Sequence, residues 1–205
     1  MKYSKARYLA SYPSYKLAPK TGLPEIAFGG RSNVGKSSLL NSLLNQKKLA
    51  QISKTPGKTR LLNYFAVMNN KNVDKIYFVD LPGYGYARVS HETRDSWKAL
   101  VEGYLENSQR LKGFLLLIDS RRGIQDDDIQ LMEYLQSLGK KTCPILTKSD
   151  KLGRQQKTQI LKKTMEILSG FAGDSLFPIL HSAKTGEGND LIWRWIGERI
   201  DDETE

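Results

Sequence analysis

The sequence predicts a three-layer α/β domain, a mostly parallel sheet with one antiparallel strand and helices on both faces. Three observations carry that expectation. Short apolar runs alternate with helical stripes from residue 24 almost to the C-terminus. The apolar runs end on polar clusters, as strands do where a parallel sheet turns its carboxyl ends toward a ligand. Between the first run and the first stripe sits a glycine-rich octapeptide, Gly30-Arg31-Ser32-Asn33-Val34-Gly35-Lys36-Ser37.

Taken in order, residues 1–22 place Tyr3, Tyr8, Tyr12 and Tyr15 among Ser, Pro and Lys without a clear period. They read as an N-terminal irregular or extended arm, its tyrosines free for RNA or packed on the domain edge; both readings stay open. Pro24 to Phe28 is a short apolar strand, and Leu39, Leu40, Leu43 and Leu44 fall at helical spacing after the glycine loop. Gln46 to Arg60 is a long polar connection around Lys54-Thr55-Pro56-Gly57-Lys58-Thr59. Leu61 to Met68 and Lys75 to Val79 read as two strands joined by the turn Asn69-Asn70-Lys71-Asn72, which makes them an antiparallel pair.

The rest alternates regularly. Trp97, Leu100, Val101, Tyr104 and Leu105 make a helical stripe, and Phe114 to Ile118 is a buried strand ending at Asp119. Ile129, Met132 and Leu135 mark the next helix, and Cys143 to Leu146 the next strand, ending in Thr147-Lys148-Ser149-Asp150. Ile160, Leu161, Met165 and Leu168 follow on a long basic helix. Leu176 to Leu180 is the last strand, ending in His181-Ser182-Ala183, and Leu191, Ile192, Trp195, Ile196 and Ile200 share one face of the last helix. Residues 23–200 form one domain, and 201–205 an acidic tail.

Composition narrows the class. The longest apolar run stops at Asp119, far short of a membrane span, and the N-terminus lacks a signal-peptide stretch. A single cysteine, Cys143, excludes a disulfide framework and a cysteine-based zinc cluster. A cytoplasmic protein without a membrane partner is expected. The net charge is +10, with 32 basic against 22 acidic residues. Between Lys140 and Lys163 there are eight bases and one acid. Such a body suits a polyanionic partner, through phosphate neutralisation and counterion release.

The octapeptide fits G-x-x-x-x-G-K-[ST]. Its glycines let the backbone turn so that successive N–H groups face phosphate oxygens. Lys36 places a point charge at the β- and γ-phosphates, Ser37 offers a hydroxyl to Mg²⁺, and the following helix adds its positive end. Asp80, at a strand end before Leu81-Pro82-Gly83, suits a water-mediated hold on the same ion. The Gly83 N–H is placed to meet a γ-phosphate, and a loop held only by that contact relaxes after hydrolysis. Thr147-Lys148-Ser149-Asp150 fits [NT]-K-x-D. One carboxylate, Asp150, accepts both guanine N1–H and the exocyclic amine, a donor pair that adenine lacks, while the Lys148 stem covers the base plane. His181-Ser182-Ala183 has the position of the loop whose backbone N–H meets guanine O6. A kinase or ATPase that tolerates adenine is the competing reading.

Together, GRSNVGKS, KTPGKT, DLPGYGYA, TKSD and HSAK resemble the EngB family of bacterial ribosome-biogenesis GTP-binding proteins, over about residues 5–200. The resemblance implies a GTPase fold, binding of GTP or GDP with Mg²⁺, and slow hydrolysis. It also implies a role in assembly of the large ribosomal subunit, with its rRNA and proteins or their precursor as partner, and a requirement in cell division and septation. A division switch acting through protein partners is the alternative. A monomer is expected. Gly57, Lys58, Thr59, Arg60 and Leu61 take the place of the first switch loop. Thr59 is then the Mg²⁺-ligating threonine, with Thr55 as rival, so that Ser37, Thr59 and Asp80 form the metal set. Asn33 matches the asparagine that holds K⁺ in potassium-activated relatives, so Lys36, Asn33 and Gly83 form the catalytic set. One departure stands out: Tyr84 occupies the place where Ras-like enzymes carry a water-orienting Gln.

Overall fold

The computed structural model describes residues 3–46, 61–84, 91–171 and 177–200. Seven strands form one sheet in the order β1-β3-β4-β2-β5-β6-β7. They are β1 (Tyr3–Tyr12), β2 (Glu25–Gly30), β3 (Leu62–Asn69), β4 (Asp74–Asp80), β5 (Leu111–Asp119), β6 (Thr142–Thr147) and β7 (Ile179–Leu180). β2 pairs in parallel with β4 and β5, and the parallel ladder continues through β6 to β7. β3 is reversed, pairing antiparallel with β4 on one side and β1 on the other. One reversed strand thus gives two antiparallel ladders, and β1 runs with the parallel set.

The segment expected as an arm is therefore largely part of the sheet. Tyr3–Tyr12 is the edge strand, in register with Leu62–Asn69 and irregular between Tyr3 and Lys5 and between Tyr8 and Ala10. Tyr12 meets Tyr64 edge-on at 5.5 Å, and Tyr15 meets Tyr104 at 5.7 Å. Those tyrosines pack on the domain rather than standing free.

Among the described residues five α-helices cover the sheet: α1 (Lys36–Leu43), α2 (His91–Asn107), α3 (Asp126–Ser137), α4 (Arg154–Leu168) and α5 (Asn189–Ile200). Strand alternation assigns their faces. Ile26 and Phe28 of β2 point to the core shared with Leu39, Leu40 and Leu43 of α1 and Ile192 and Ile196 of α5. Ala27, Tyr77 and Val79 point to the opposite core, with Leu100, Val101, Tyr104 and Leu105 of α2, Met132 and Leu135 of α3, and Leu168 of α4. Each fully buried leucine contributes about 2 kcal/mol through removal of apolar surface from water. Between β3 and β4 the side chain of Asn69 accepts the N–H groups of Lys71 and Val73, at 2.9 and 3.1 Å, and fixes the expected turn.

The chain leaves β2 toward β4 on one side and later enters β5 on the other. That reversal opens a crevice at the carboxyl end of β2, where the phosphate-binding octapeptide begins. At the opposite end of β2 the Glu25 carboxylate is fully buried. It accepts hydrogen bonds from Ser108 Oγ (2.7 Å) and Tyr104 Oη (3.0 Å), and Arg110 stands 3.5 Å away. Burial pushes its pKa up, against those bonds and the guanidinium.

Candidate functional site

Strand β2 hands the chain directly to the phosphate loop. Gly30 ends the strand at φ 156°, Asn33 takes a left-handed φ of 60°, and Gly35 at φ 115° caps the start of α1. Lys36 and Ser37 occupy the first turn of α1, half-buried, so the helix's free N–H groups and its positive end face the same crevice.

Three further segments converge on this loop. Strand β4 ends at Asp80, which is buried and directed at the Lys36 charge. Its Oδ2 accepts from Asn63 Nδ2 at 3.4 Å, whereas Oδ1 is buried with no hydrogen-bond partner among the described residues. Burial pushes this carboxyl up, opposed by Lys36 and Asn63. Leu81 and Pro82 are buried, and the Leu81 N–H returns to Phe28 O (3.0 Å), continuing the β4–β2 ladder toward Gly83.

The second segment is Thr147-Lys148-Ser149-Asp150. Thr147 Oγ1 donates to Val34 O (2.8 Å) and Ile118 O (3.1 Å), so its one proton fastens the phosphate loop to β5 and β6. Lys148, at φ 60°, donates to Asn33 O (2.8 Å) and pairs with Asp119 at 3.0 Å. Burial works against the Asp119 charge, but Arg121 and Lys148 hold the carboxyl well below the ordinary range. The Lys148 stem is thereby drawn across the cavity floor beside Gly35. Ser149 is buried and donates to Glu187 Oε2 (2.6 Å), and Glu187 also takes Lys157 Nζ at 2.7 Å.

The third segment is His181-Ser182-Ala183, just beyond β7. Ser182 Oγ donates to Asp150 Oδ1 at 2.9 Å and lowers its pKa. The His181 side chain points away, buried against Asn189 Oδ1 at 3.1 Å, and burial pushes its pKa down. Asn189 in turn grips Ser42 of α1 (3.0 Å). A cavity of about 720 Å³ lies between α1 and the second and third of these segments, lined among others by Gly35, Ser38, Lys148, Asp150 and Ala183. That is ample for a nucleoside, with one ionised carboxylate on its wall.

The structure thus brings together Gly30 through Ser37, Asp80 through Gly83, Thr147 through Asp150, and His181 through Ala183. Leu61 stands immediately before β3, while Gly57, Lys58, Thr59 and Arg60, with Thr55, lie outside the described residues. Tyr84 turns inward, 9% exposed, and its hydroxyl donates to Asp128 Oδ1 of α3 at 2.5 Å. Four residues that serve the site carried no sequence signal of their own. Asp119 stands in the sequence only as the end of a strand, and Asp128, Glu187 and Asn189 belong to none of its motifs.

Comparison with known proteins agrees with this geometry. The family model described as 50S ribosome-binding GTPase matches residues 25–148. A protein of Pelotomaculum thermopropionicum named probable GTP-binding protein EngB is 43% identical over 201 residues, covering 96% of this chain and 98% of its own length. Its counterpart in Chlorobaculum tepidum, with the same name, is 43% identical over 192 residues, covering 94% of this chain and 95% of itself. Among solved structures, that of a protein named EngB is similar at TM-score 0.64 and 24% identity, over 87% of this chain and 100% of that one. Era, solved with MgGDPNP and nucleotides of 16S ribosomal RNA, is similar at TM-score 0.66 and 26% identity, over 87% of this chain and 57% of its own.

Proposed function

We propose, for a chain that belongs to the EngB family of GTP-binding proteins and hydrolyses GTP, the role of a switch in assembly of the large ribosomal subunit. The observation that carries this reading is a phosphate loop and a guanine-reading carboxylate, Asp150, set in a body of net charge +10. A basic body is rewarded by RNA and gains little from a generic protein partner. In this reading GTP admits the chain to the pre-subunit and hydrolysis releases it. The effect on division and septation follows from ribosome supply.

Lys36 and the N–H groups of the phosphate loop hold the β- and γ-phosphates, and the Gly83 N–H meets the γ-phosphate. The residues present fit Mg²⁺. Ser37 supplies a hydroxyl, Asp80 Oδ1 is a buried acceptor in want of a donor such as a metal-bound water, and Thr59 completes the set. Among the described residues no cluster of His, Cys, Asp or Glu could hold a metal unaided, which suits an ion that arrives with phosphate oxygens. When bound, Mg²⁺ neutralises charge developing on those oxygens. Asn33, exposed on the loop, is the residue that K⁺ would use, and equal turnover in K⁺ and Na⁺ removes it from that role. Tyr84 directs its hydroxyl to Asp128, so it positions no water, and hydrolysis is slow until a partner supplies what is missing. Among the described residues no helix is long and apolar enough to cross a membrane.

The test is sedimentation of the protein with isolated large ribosomal subunits, with GDP or a non-hydrolysable GTP analogue, over a range of salt. Co-sedimentation that needs the analogue and weakens steeply with salt is expected. Binding indifferent to nucleotide, or none to any ribosomal particle, defeats the reading and favours a division switch acting through protein partners.

A further inference from the structure

Tyr84 follows the glycine that meets the γ-phosphate, and the structure ties it to two other elements. Its backbone is annealed to the phosphate loop. The Ser32 N–H donates to Tyr84 O (2.9 Å), the Tyr84 N–H donates to Gly30 O (3.3 Å), and Arg31 and Tyr84 form a parallel bridge. Its side chain reaches α3. There the Asp128 carboxylate, 1% exposed, accepts the Tyr84 hydroxyl on Oδ1 and the Gln125 N–H on Oδ2 (2.9 Å). The preceding residue, Asp127, pairs with Arg31 at 3.3 Å. Two consecutive carboxylates in the first turn of α3 therefore hold the Gly83 loop and the phosphate loop.

The docking is close. A Cβ placed on Gly83 would stand 3.0 Å from Lys36 Nζ and 3.1 Å from Ser32 N. A phosphate gripped by Lys36 on one side and the Gly83 N–H on the other needs oxygens between them, about 2.8 Å from each donor. The Lys36 ammonium and the loop have to part to admit it, and the share of that movement taken by the loop works against the Ser32–Tyr84 bond and draws a hydroxyl away from a carboxylate buried where water does not replace it. A tyrosine that only filled space would leave none of this to break, and phenylalanine would serve as well.

We propose that Tyr84 and Asp128 form a latch, a positioning pair that holds the Gly83 loop docked on the phosphate loop and carries the arrival of a γ-phosphate to the first turn of α3. The inference rests on the reading that Lys36 and Gly83 share that phosphate. It gives the Tyr at position 84 a purpose that water positioning does not. It also makes the start of α3 a third nucleotide-sensitive element.

The experiment compares wild type with Tyr84→Phe, measuring affinity for GDP and for a non-hydrolysable GTP analogue. Amide hydrogen exchange over residues 125–129 is followed with each nucleotide. Removing the hydroxyl is expected to raise affinity for the analogue relative to GDP by about tenfold, the worth of one hydrogen bond to a charged group. Wild type is expected to show faster exchange in that turn with the analogue than with GDP, and the variant to lose the difference. Asp128→Asn, which removes the charge, is expected to shift the ratio the same way. An affinity ratio unchanged within about twofold in both variants, or a turn whose exchange ignores the nucleotide in wild type, overturns the latch alone. Failure of the wild type to discriminate any nucleotide overturns the underlying reading with it.

Discussion

On the proposed reading of Asp150, its replacement by Asn should exchange the base that the cavity accepts. Guanine offers N1–H and an exocyclic N–H to one carboxylate, whose Oδ1 is already steadied by Ser182 Oγ at 2.9 Å. An Asn amide keeps one acceptor and turns the other into a donor, which then meets the donor amine of guanine. One bond then loses its charge assistance and the other becomes a clash of two donors, which together cost about a hundredfold in GDP affinity. Xanthine keeps N1–H and carries a carbonyl in place of the amine, and that pattern matches the amide. The loop survives the change. A serine hydroxyl donates or accepts, so Ser182 serves either face of the amide, while Ser149, Glu187 and Lys157 hold the backbone independently. Titration calorimetry with GDP and xanthosine diphosphate should show the first weakened about a hundredfold and the second bound within about tenfold of wild-type GDP. GDP affinity retained within about threefold, or no preference for xanthine, refutes the assignment of Asp150 as the base reader.

Three other outcomes are expected. Gly188→Ala forces a side chain into φ 84° and places Cβ 2.1 Å from Leu180 O, so stability should fall by about 2–3 kcal/mol and the thermal midpoint by about 4–10 °C. A thermal scan within about 2 °C of wild type contradicts the close approach. Thr147→Val keeps the shape but takes from Val34 O its side-chain donor in a buried setting; urea unfolding should register a loss of about 1–3 kcal/mol, and a neutral result would show the hydroxyl to be idle. Glu25 supplies a pH dependence. Its folded pKa is raised by burial above the ordinary value near 4.5, so the native state binds more protons than the unfolded chain in that window. Its contribution is therefore present below about pH 4.5 and is lost as pH rises through the folded value. The unfolding free energy of wild type should fall relative to that of Glu25→Gln as pH rises, because the buried carboxyl ionises and the amide does not, and parallel profiles would exclude the effect.

The central architecture could be read from the sequence because each element repeats its own signal. Leucines at helical spacing in α1 and the unbroken run Phe114–Ile118 in β5 advertise burial whatever surrounds them. Strand β1 could not be read that way. Its two irregularities, at Tyr3/Lys5 and Tyr8/Ala10, interrupt the two-residue period on which strand recognition depends. The motifs marked the site because phosphate and guanine impose residue types at fixed spacing. The supports were invisible for a different reason. Glu187 meets Ser149 and Lys157 across separations of 38 and 30 residues, and Asn189 meets Ser42 across 147, so no local pattern announces either contact.

Tyr84 is the instructive case, because the sequence shows its place after Gly83 and nothing of where its side chain points. Its place after Gly83 invites comparison with a water-positioning glutamine, and by that measure it is a defect. Three acids begin α3, all of them favourable at a helix N-terminus, and nothing in their order says which one turns inward. Asp128 is the third residue of that turn, so it reaches back to the Gln125 N–H and, from a fully enclosed position, receives the hydroxyl of Tyr84. Asp127, one residue earlier, stays at the surface with Arg31. The helix periodicity that separates these two carboxylates assigns one to the phosphate loop and the other to the loop that senses the third phosphate. In this chain the residue that fails as a catalytic group by sequence analogy is the one through which a change at the phosphates reaches a helix.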